Sequence, residues 1–198
     1  MKELIVATRN AGKLKEISRL CKEHGIVVLG LERFPELPEI EEDGESFAAN
    51  AIKKAGFVAK ETGLPCLADD SGLVVDALGG RPGIHSARYA GDNADDSANN
   101  RKLILAMQNV PDDRRQAAFC CVMAFSRPDS EPLLFEGQIS GTILREPRGD
   151  GCFGYDPLFF IPEYGLTMAQ LPLSKKNRIS HRGQALMKVI ETLGSLSF

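Results

Sequence analysis

The chain has 198 residues, 26% of them charged and 43% hydrophobic, with a formal net charge of −3 at pH 7. That balance belongs to a folded globular protein and excludes a disordered chain, and the length suits one large domain or two lobes sharing a core. No global positive field draws such a chain to duplex nucleic acid or an anionic membrane, and no segment approaches the ~20 apolar residues of a membrane span.

The elements are read in chain order from apolar periodicity and turn residues. Glu3 to Ala7 is a buried strand, and Thr8 to Gly12 a polar turn. A helix runs to about His24 with Leu14, Ile17, Leu20 and Cys21 on one face and Gly25 as its stop. Ile26 to Leu29 is a second strand, so the chain opens as a parallel α/β unit. An acidic loop broken by Pro35 and Pro38 fills residues 32–45. Ser46 then caps a helix to about Thr62, with Phe47, Ala51, Ala55 and Val58 as its inner face and Gly63 as its close. Two apolar runs, Pro65 to Ala68 and Leu73 to Val75, are separated by a turn at Asp69-Asp70-Ser71-Gly72. Residues 79–91 are glycine-rich and irregular. Asp92 to Asp96 supplies caps for a helix through about Gln108. Ala117 to Phe125 and Leu133 to Leu144 form an antiparallel hairpin. A loop at 149–157 leads to a short strand, and one helix covers about Asn177 to Leu193.

Five cysteines (Cys21, Cys66, Cys120, Cys121 and Cys152) make an odd count without CxxC spacing. They read as reduced, packed thiols of a cytoplasmic protein. The amino terminus enters Leu4-Ile5-Val6-Ala7 at once, too short for the apolar region of a signal peptide.

Six islands carry candidate chemistry, weighed against plainer structural roles. Thr8-Arg9-Asn10-Ala11-Gly12-Lys13, between a strand and a helix start, offers backbone N–H groups and a cation to an anion; it is equally a cap with a surface lysine. Glu41 and Glu42 either fold over the strand end to share a cation with Asp70 or form a solvated acidic loop. Of Lys53 and Lys54, about 100° apart on a helix, at most one points inward. Phe153-Gly154-Tyr155-Asp156 could offer a ring to stack on a flat base and an acceptor for a ring N–H, or be a turn with core aromatics. Ser180-His181-Arg182, with Lys175 and Lys176 upstream, could bind an anion or be a basic patch. Asp69 and Asp70 themselves could hold a hard cation, take a proton from water, or serve an ordinary turn.

TxNxxK at Thr8–Lys13, NAxxKA at Asn50–Ala55, ADDSG at Ala68–Gly72, SARYAG at Ser86–Gly91, FGYDP at Phe153–Pro157 and SHRGxAL at Ser180–Leu186 occur in that order. Together they resemble the noncanonical purine NTP pyrophosphatases, also called inosine triphosphate or dITP/XTP pyrophosphatases, over essentially the whole chain. The resemblance implies one two-lobed domain over residues 1–198, with an elongated mixed central sheet flanked by helices and an active-site cleft between the lobes. It implies a Mg²⁺-dependent homodimer that cleaves ITP, dITP or XTP to the monophosphate and pyrophosphate. By motif, Thr8, Arg9, Asn10, Ala11, Gly12, Lys13 and Lys54 would bind the triphosphate, and Ser71 the substrate. Phe153, Gly154, Tyr155, Asp156, Lys176, His181 and Arg182 would bind the nucleotide. Glu41 and Asp70 would hold Mg²⁺, with Asp70 also the base that activates water. Arg9 stands where many members carry glycine. For specificity, Arg182 would donate to O6 of the purine, and Asp156 or backbone would accept from N1–H. A serine hydrolase using Ser71 and His181 lacks the GxSxG elbow. A binding module without turnover fits poorly with intact catalytic positions.

Overall fold

The computed structural model describes residues 2–150 and 153–195; the packed-thiol reading of Cys152 falls outside them. The elements are β1 (Lys2–Val6), α1 (Ala11–Glu23), β2 (Ile26–Gly30), α2 (Phe47–Thr62), β3 (Cys66–Val75), α3 (Asp96–Ala106), β4 (Gln116–Ser126), β5 (Leu133–Ile143), β6 (Phe159–Ile161), β7 (Leu166–Thr167), α4 (Leu173–Ile179) and α5 (His181–Ser195). The strands make one mixed sheet in the order β2-β1-β3-β4-β5-β6-β7. β1 runs parallel to both β2 and β3, with α1 and α2 as the crossovers, whereas β5-β6 and β6-β7 are antiparallel. Residues 127–132 are too few for a crossover, so β4 and β5 form the expected hairpin.

Local chemistry sets the helix ends. The Asn10 side chain accepts from Lys13 N at 3.0 Å and starts α1, and Ser46 does the same for Ala49 N at 3.1 Å in α2. These are ordinary N-caps that satisfy otherwise orphaned N–H groups. Gly63 closes α2 at φ +69°, a left-handed conformation that only glycine adopts without strain.

The chain divides into two compact units. The first takes the residues up to Asp70, Cys121–Gly137 and the segment from His181 onward. Leu4, Val6, Leu67, Met123 and Phe125 face Ile17 and Leu20 of α1 and Leu186 and Val189 of α5. The alternate residues Ile5, Ala7, Cys66, Ala68 and Ala124 face Ala51, Ala55 and Val58 of α2. The split follows the period of two along a strand: neighbouring side chains leave opposite faces of the sheet. The second unit takes Ser71–Cys120 and Gln138–Ser180, with Leu73, Leu103, Met107, Ile143 and Met168 in its core and Phe119 and Phe159 with ring centroids 4.5 Å apart. Burial pushes the Cys21, Cys66 and Cys121 thiols up to about 12, which keeps them protonated and unreactive.

Two expectations from sequence are corrected. The Asp69-Asp70-Ser71-Gly72 turn does not form: β3 runs unbroken from Cys66 to Val75, with Asp69 and Asp70 buried inside it. The carboxylates are tolerated there because other elements bring partners to them. The C-terminal helix is two helices, broken at Ser180, whose backbone is extended (φ −65°, ψ 155°). Ile179 packs in the second unit's core and Leu186 in the first's, so the apolar periodicity runs through a break it does not report.

Gly137 on β5 is needed for close approach. A Cβ there would lie 2.0 Å from the carbonyl oxygen of His181 and 2.8 Å from Ala185 N, both backbone atoms of α5. Gly137→Ala is expected to destabilise the fold by about 3 kcal/mol, the upper end of ordinary overpacking costs. Urea unfolding would show a lower midpoint with an unchanged slope.

Candidate functional site

Strand alternation decides what each aspartate of β3 can do. Asp69 shares the face of Leu67 and meets α1 and α5, while Asp70 shares the face of Ala68 and meets α2. They are neighbours in sequence with separate surroundings.

Asp69 is the anchor of a buried charge chain. Its Oδ2 lies 3.0 Å from Lys13 Nζ and 3.3 Å from Arg182 Nε, and Arg182 Nη1 is 2.5 Å from Glu16 Oε2. Glu16, Asp69 and Arg182 are each less than a tenth exposed. Burial alone would raise the Asp69 pKa, but Lys13, Arg182 and Lys54 outweigh it and hold the carboxyl far below its usual range. Burial also opposes the Arg182 charge, and Asp69 and Glu16 more than restore it.

Asp70 is poised the other way. Asn50 Nδ2 donates to its Oδ2 at 2.9 Å, and Asn50 Oδ1 in turn accepts from Gly44 N at 2.8 Å, which fixes the amide. Burial raises the Asp70 pKa above its ordinary value; Lys54, Asn50 and Lys13 pull it down without cancelling the rise, and Glu42 adds to it. Lys54 donates to the Asp69 carbonyl at 2.7 Å and to the Glu42 carboxylate. Burial works against its charge, but Asp69, Glu42 and Asp70 keep its pKa raised. Asn50 and Lys54 stand four residues apart, on the α2 face that also buries Ala51 and Ala55. Lys53 points out to Asp43, as one lysine of the pair had to.

The donor chemistry fits a hard divalent cation. Asp70 is a buried oxygen donor with an acidic loop beside it, and Mg²⁺ is commonly held by one or two carboxylates together with substrate phosphates. Among the described residues no cluster of three or more His, Cys, Asp or Glu side chains is arranged to hold a metal. Glu41, the partner read from sequence, is exposed. The glutamate whose charge bears on Asp70 is Glu42, which also pairs with Lys54.

The loop before α1 is held by local hydrogen bonds at the helix start. Thr8 Oγ1 accepts from Asn10 N at 3.2 Å, and Ala11 and Gly12 open the helix with Lys13 in its first turn. Arg9 donates to the Leu37 carbonyl at 3.2 Å. Ser71 is half-buried in β3, and His181 is buried at the start of α5.

In the second unit, Asp156 and Lys176 form a buried ion pair at 2.7 Å, and the Lys176 ammonium lies 4.9 Å from the centroid of the Phe153 ring. Tyr155 has its ring in the apolar core and donates its hydroxyl to the Ser86 carbonyl at 2.8 Å. Of the two aromatics in this motif, Phe153 alone is partly exposed. Ser86 also accepts from Leu73 N and donates to the Gly83 carbonyl, so the SARYAG segment braces β3 and the Phe153 loop.

Sequence reasoning gave no role to Glu16 or Asn50. The signal for Glu16 was its spacing: Lys13, Glu16, Ile17 and Leu20 form an i, i+3, i+4, i+7 stripe. For Asn50 it was the interval of four to Lys54.

Fold and site together define an α/β protein with buried carboxylates and cations gathered on its central sheet. The chain belongs to the Ham1 family, whose model matches residues 4–192. It is 55% identical over 194 residues to a Geobacter sulfurreducens dITP/XTP pyrophosphatase, covering 98% of each chain. It is 48% identical to the Escherichia coli O157:H7 dITP/XTP pyrophosphatase over 98% of each. The solved structure of a HAM1 protein from Coxiella burnetii superposes with a TM-score of 0.89 at 44% identity, covering 99% of this chain and 100% of that one.

Proposed function

We propose that this chain hydrolyses dITP, ITP and XTP to the nucleoside monophosphate and pyrophosphate with Mg²⁺, clearing deaminated purines from the nucleotide pool. The observation that carries the reading is Asp70, a buried carboxylate of raised pKa flanked by Asn50 and Lys54, in a chain whose near full-length relatives are dITP/XTP pyrophosphatases. Asp70, with the Glu41–Glu42 loop, would hold the cation. Bound Mg²⁺ supplies charge neutralisation at the phosphates.

Asp70 orients a water against the α-phosphorus and takes its proton; a raised pKa makes the carboxylate a stronger base than an exposed one. Thr8 to Lys13 and Lys54 receive the charge of the departing pyrophosphate, and Ser71 contacts substrate. Phe153 stacks on the purine, with Gly154, Tyr155 and His181 completing the nucleotide contacts. Arg182 is engaged by Glu16 and Asp69, so we assign the O6 donor to Lys176 in its place. The Lys176–Asp156 pair presents a donor beside an acceptor, matching O6 and N1–H of a 6-keto purine. Adenine reverses both polarities and leaves the buried pair unmatched, which rejects it strongly.

No helix among the described residues is long and apolar enough to cross a membrane. We place the protein in the cytoplasm as a homodimer acting on free nucleotides, an assembly that light scattering would test. The functional test is pyrophosphate release from dITP, XTP, dGTP and dATP with Mg²⁺ and with EDTA. The expected result is metal-dependent turnover of dITP and XTP at least a hundredfold above dATP in kcat/KM, about the ratio an unmatched buried pair produces. A preference for dATP, or full activity in EDTA, overturns the reading.

A further inference from the structure

Gly154 is held by both of its backbone polar groups. The Asp96 carboxylate accepts from its N–H at 2.7 Å, and the Asn100 side chain donates to its carbonyl at 3.0 Å. The two side chains stand one turn apart on α3 and share a face. α3 does not need Asp96 for its own start, because Asp95 caps it by accepting from Ala98 N at 2.6 Å. Asn100 keeps Oδ1 buried without a partner among the described residues, a cost that a residue with no task would shed.

The glycine itself is there for conformation. Gly154 has φ +65°, and a Cβ on it would meet open space. A left-handed residue with its N–H and C=O both tied to one helix is a fixed point in an otherwise irregular loop. Tyr155, on one side, has a second anchor through Ser86. Phe153, on the other, directly adjoins Gly154 in the chain, and its ring lies 4.9 Å from the ammonium of Lys176.

We propose that Asp96 and Asn100 are positioning residues for purine recognition, a clamp on Gly154 that sets Phe153 against the Lys176–Asp156 pair. The proposal rests on the base-binding reading above. Releasing the clamp lets the ring drift from the pair, so stacking and edge recognition weaken together. The attack step at Asp70 draws on other residues, and the loss falls on KM and on discrimination.

The test compares Asp96→Ala, Asn100→Ala and Asp96→Asn in the full chain with Mg²⁺. Either alanine variant should raise KM for dITP about tenfold, as expected for one hydrogen bond to a charged or buried group, with a smaller change in kcat. The dITP over dATP ratio should fall about as far. Asp96→Asn keeps an acceptor for Gly154 N and should recover most of the loss, which a purely electrostatic role of Asp96 would not allow. Amide exchange at Gly154 should quicken in Asp96→Ala and stay slow in Asp96→Asn. Unchanged KM and ratio, a loss confined to kcat, or an Asp96→Asn as impaired as Asp96→Ala overturns the proposal. A wild-type chain without dITP turnover would instead overturn the functional reading, while exchange at Gly154 would still report whether the clamp exists.

Discussion

Asp70→Asn is expected to lower kcat for dITP by about 10²–10⁴, the usual cost of losing a positioned base, while raising the melting temperature of the metal-free protein. The second half follows from the sign of the pKa shift. Burial raises the Asp70 pKa in the folded state, so the folded chain binds this proton more readily than the unfolded one. Stability attached to the group is therefore fully present below the unfolded carboxylate pKa and is lost as pH rises through the folded one. At neutral pH the ionised carboxylate strains the fold it serves. Asparagine removes the charge and keeps an oxygen to accept from Asn50 Nδ2. Lys54 retains Glu42 and the Asp69 carbonyl. Thermal melts in EDTA and with Mg²⁺ test both parts: the variant should melt higher without metal, and Mg²⁺ should stabilise the wild type more than the variant. Near-normal turnover, or a lower melting temperature in EDTA, contradicts the argument.

The parts legible in sequence are those encoded by near neighbours. Ser46 and Gly63 announced the ends of α2, because capping is a contact across three or four residues. The opening parallel unit and the β4–β5 hairpin were written in periodicity and turn length. Asp69 was not legible in this way. Carboxylates are disfavoured in strand interiors, so two in a row read as a turn. What overrides that preference is Arg182, 113 residues along the chain, itself fixed by Glu16 at a separation of 166. No local pattern carries a pairing at that distance. The break at Ser180 escaped for a related reason: Ile179 and Leu186 continue one apolar stripe while packing in different units. The motif resemblance singled out Arg182 as important without saying that its guanidinium faces carboxylates of its own chain.

That arrangement makes Arg182→Met strongly damaging to the fold. Arg182 spans Glu16 and Asp69 with different nitrogens of one planar group, a geometry the single ammonium of lysine cannot reproduce. Methionine fills similar volume and leaves two buried carboxylates with Lys13 as the ammonium beside Asp69. Breaking a buried pair from one side typically costs about 3–5 kcal/mol, here roughly 10 °C in melting temperature. Pairing the change with Glu16→Gln should recover part of the loss, because the damage comes from stranded charge rather than missing attraction. The effect should also depend on pH. In the wild type, Asp69 has a depressed pKa, so its stabilising contribution is present above the unfolded carboxylate value and fades as pH falls through the folded one. Without Arg182 that pKa rises, and mild acid can neutralise the Asp69 carboxylate. The gap between variant and wild type in urea unfolding should therefore be smaller at pH 5 than at pH 8. A gap that is the same at both, or under about 1 kcal/mol, would mean that the pair is solvated like a surface ion pair and does not anchor β3 to α1 and α5.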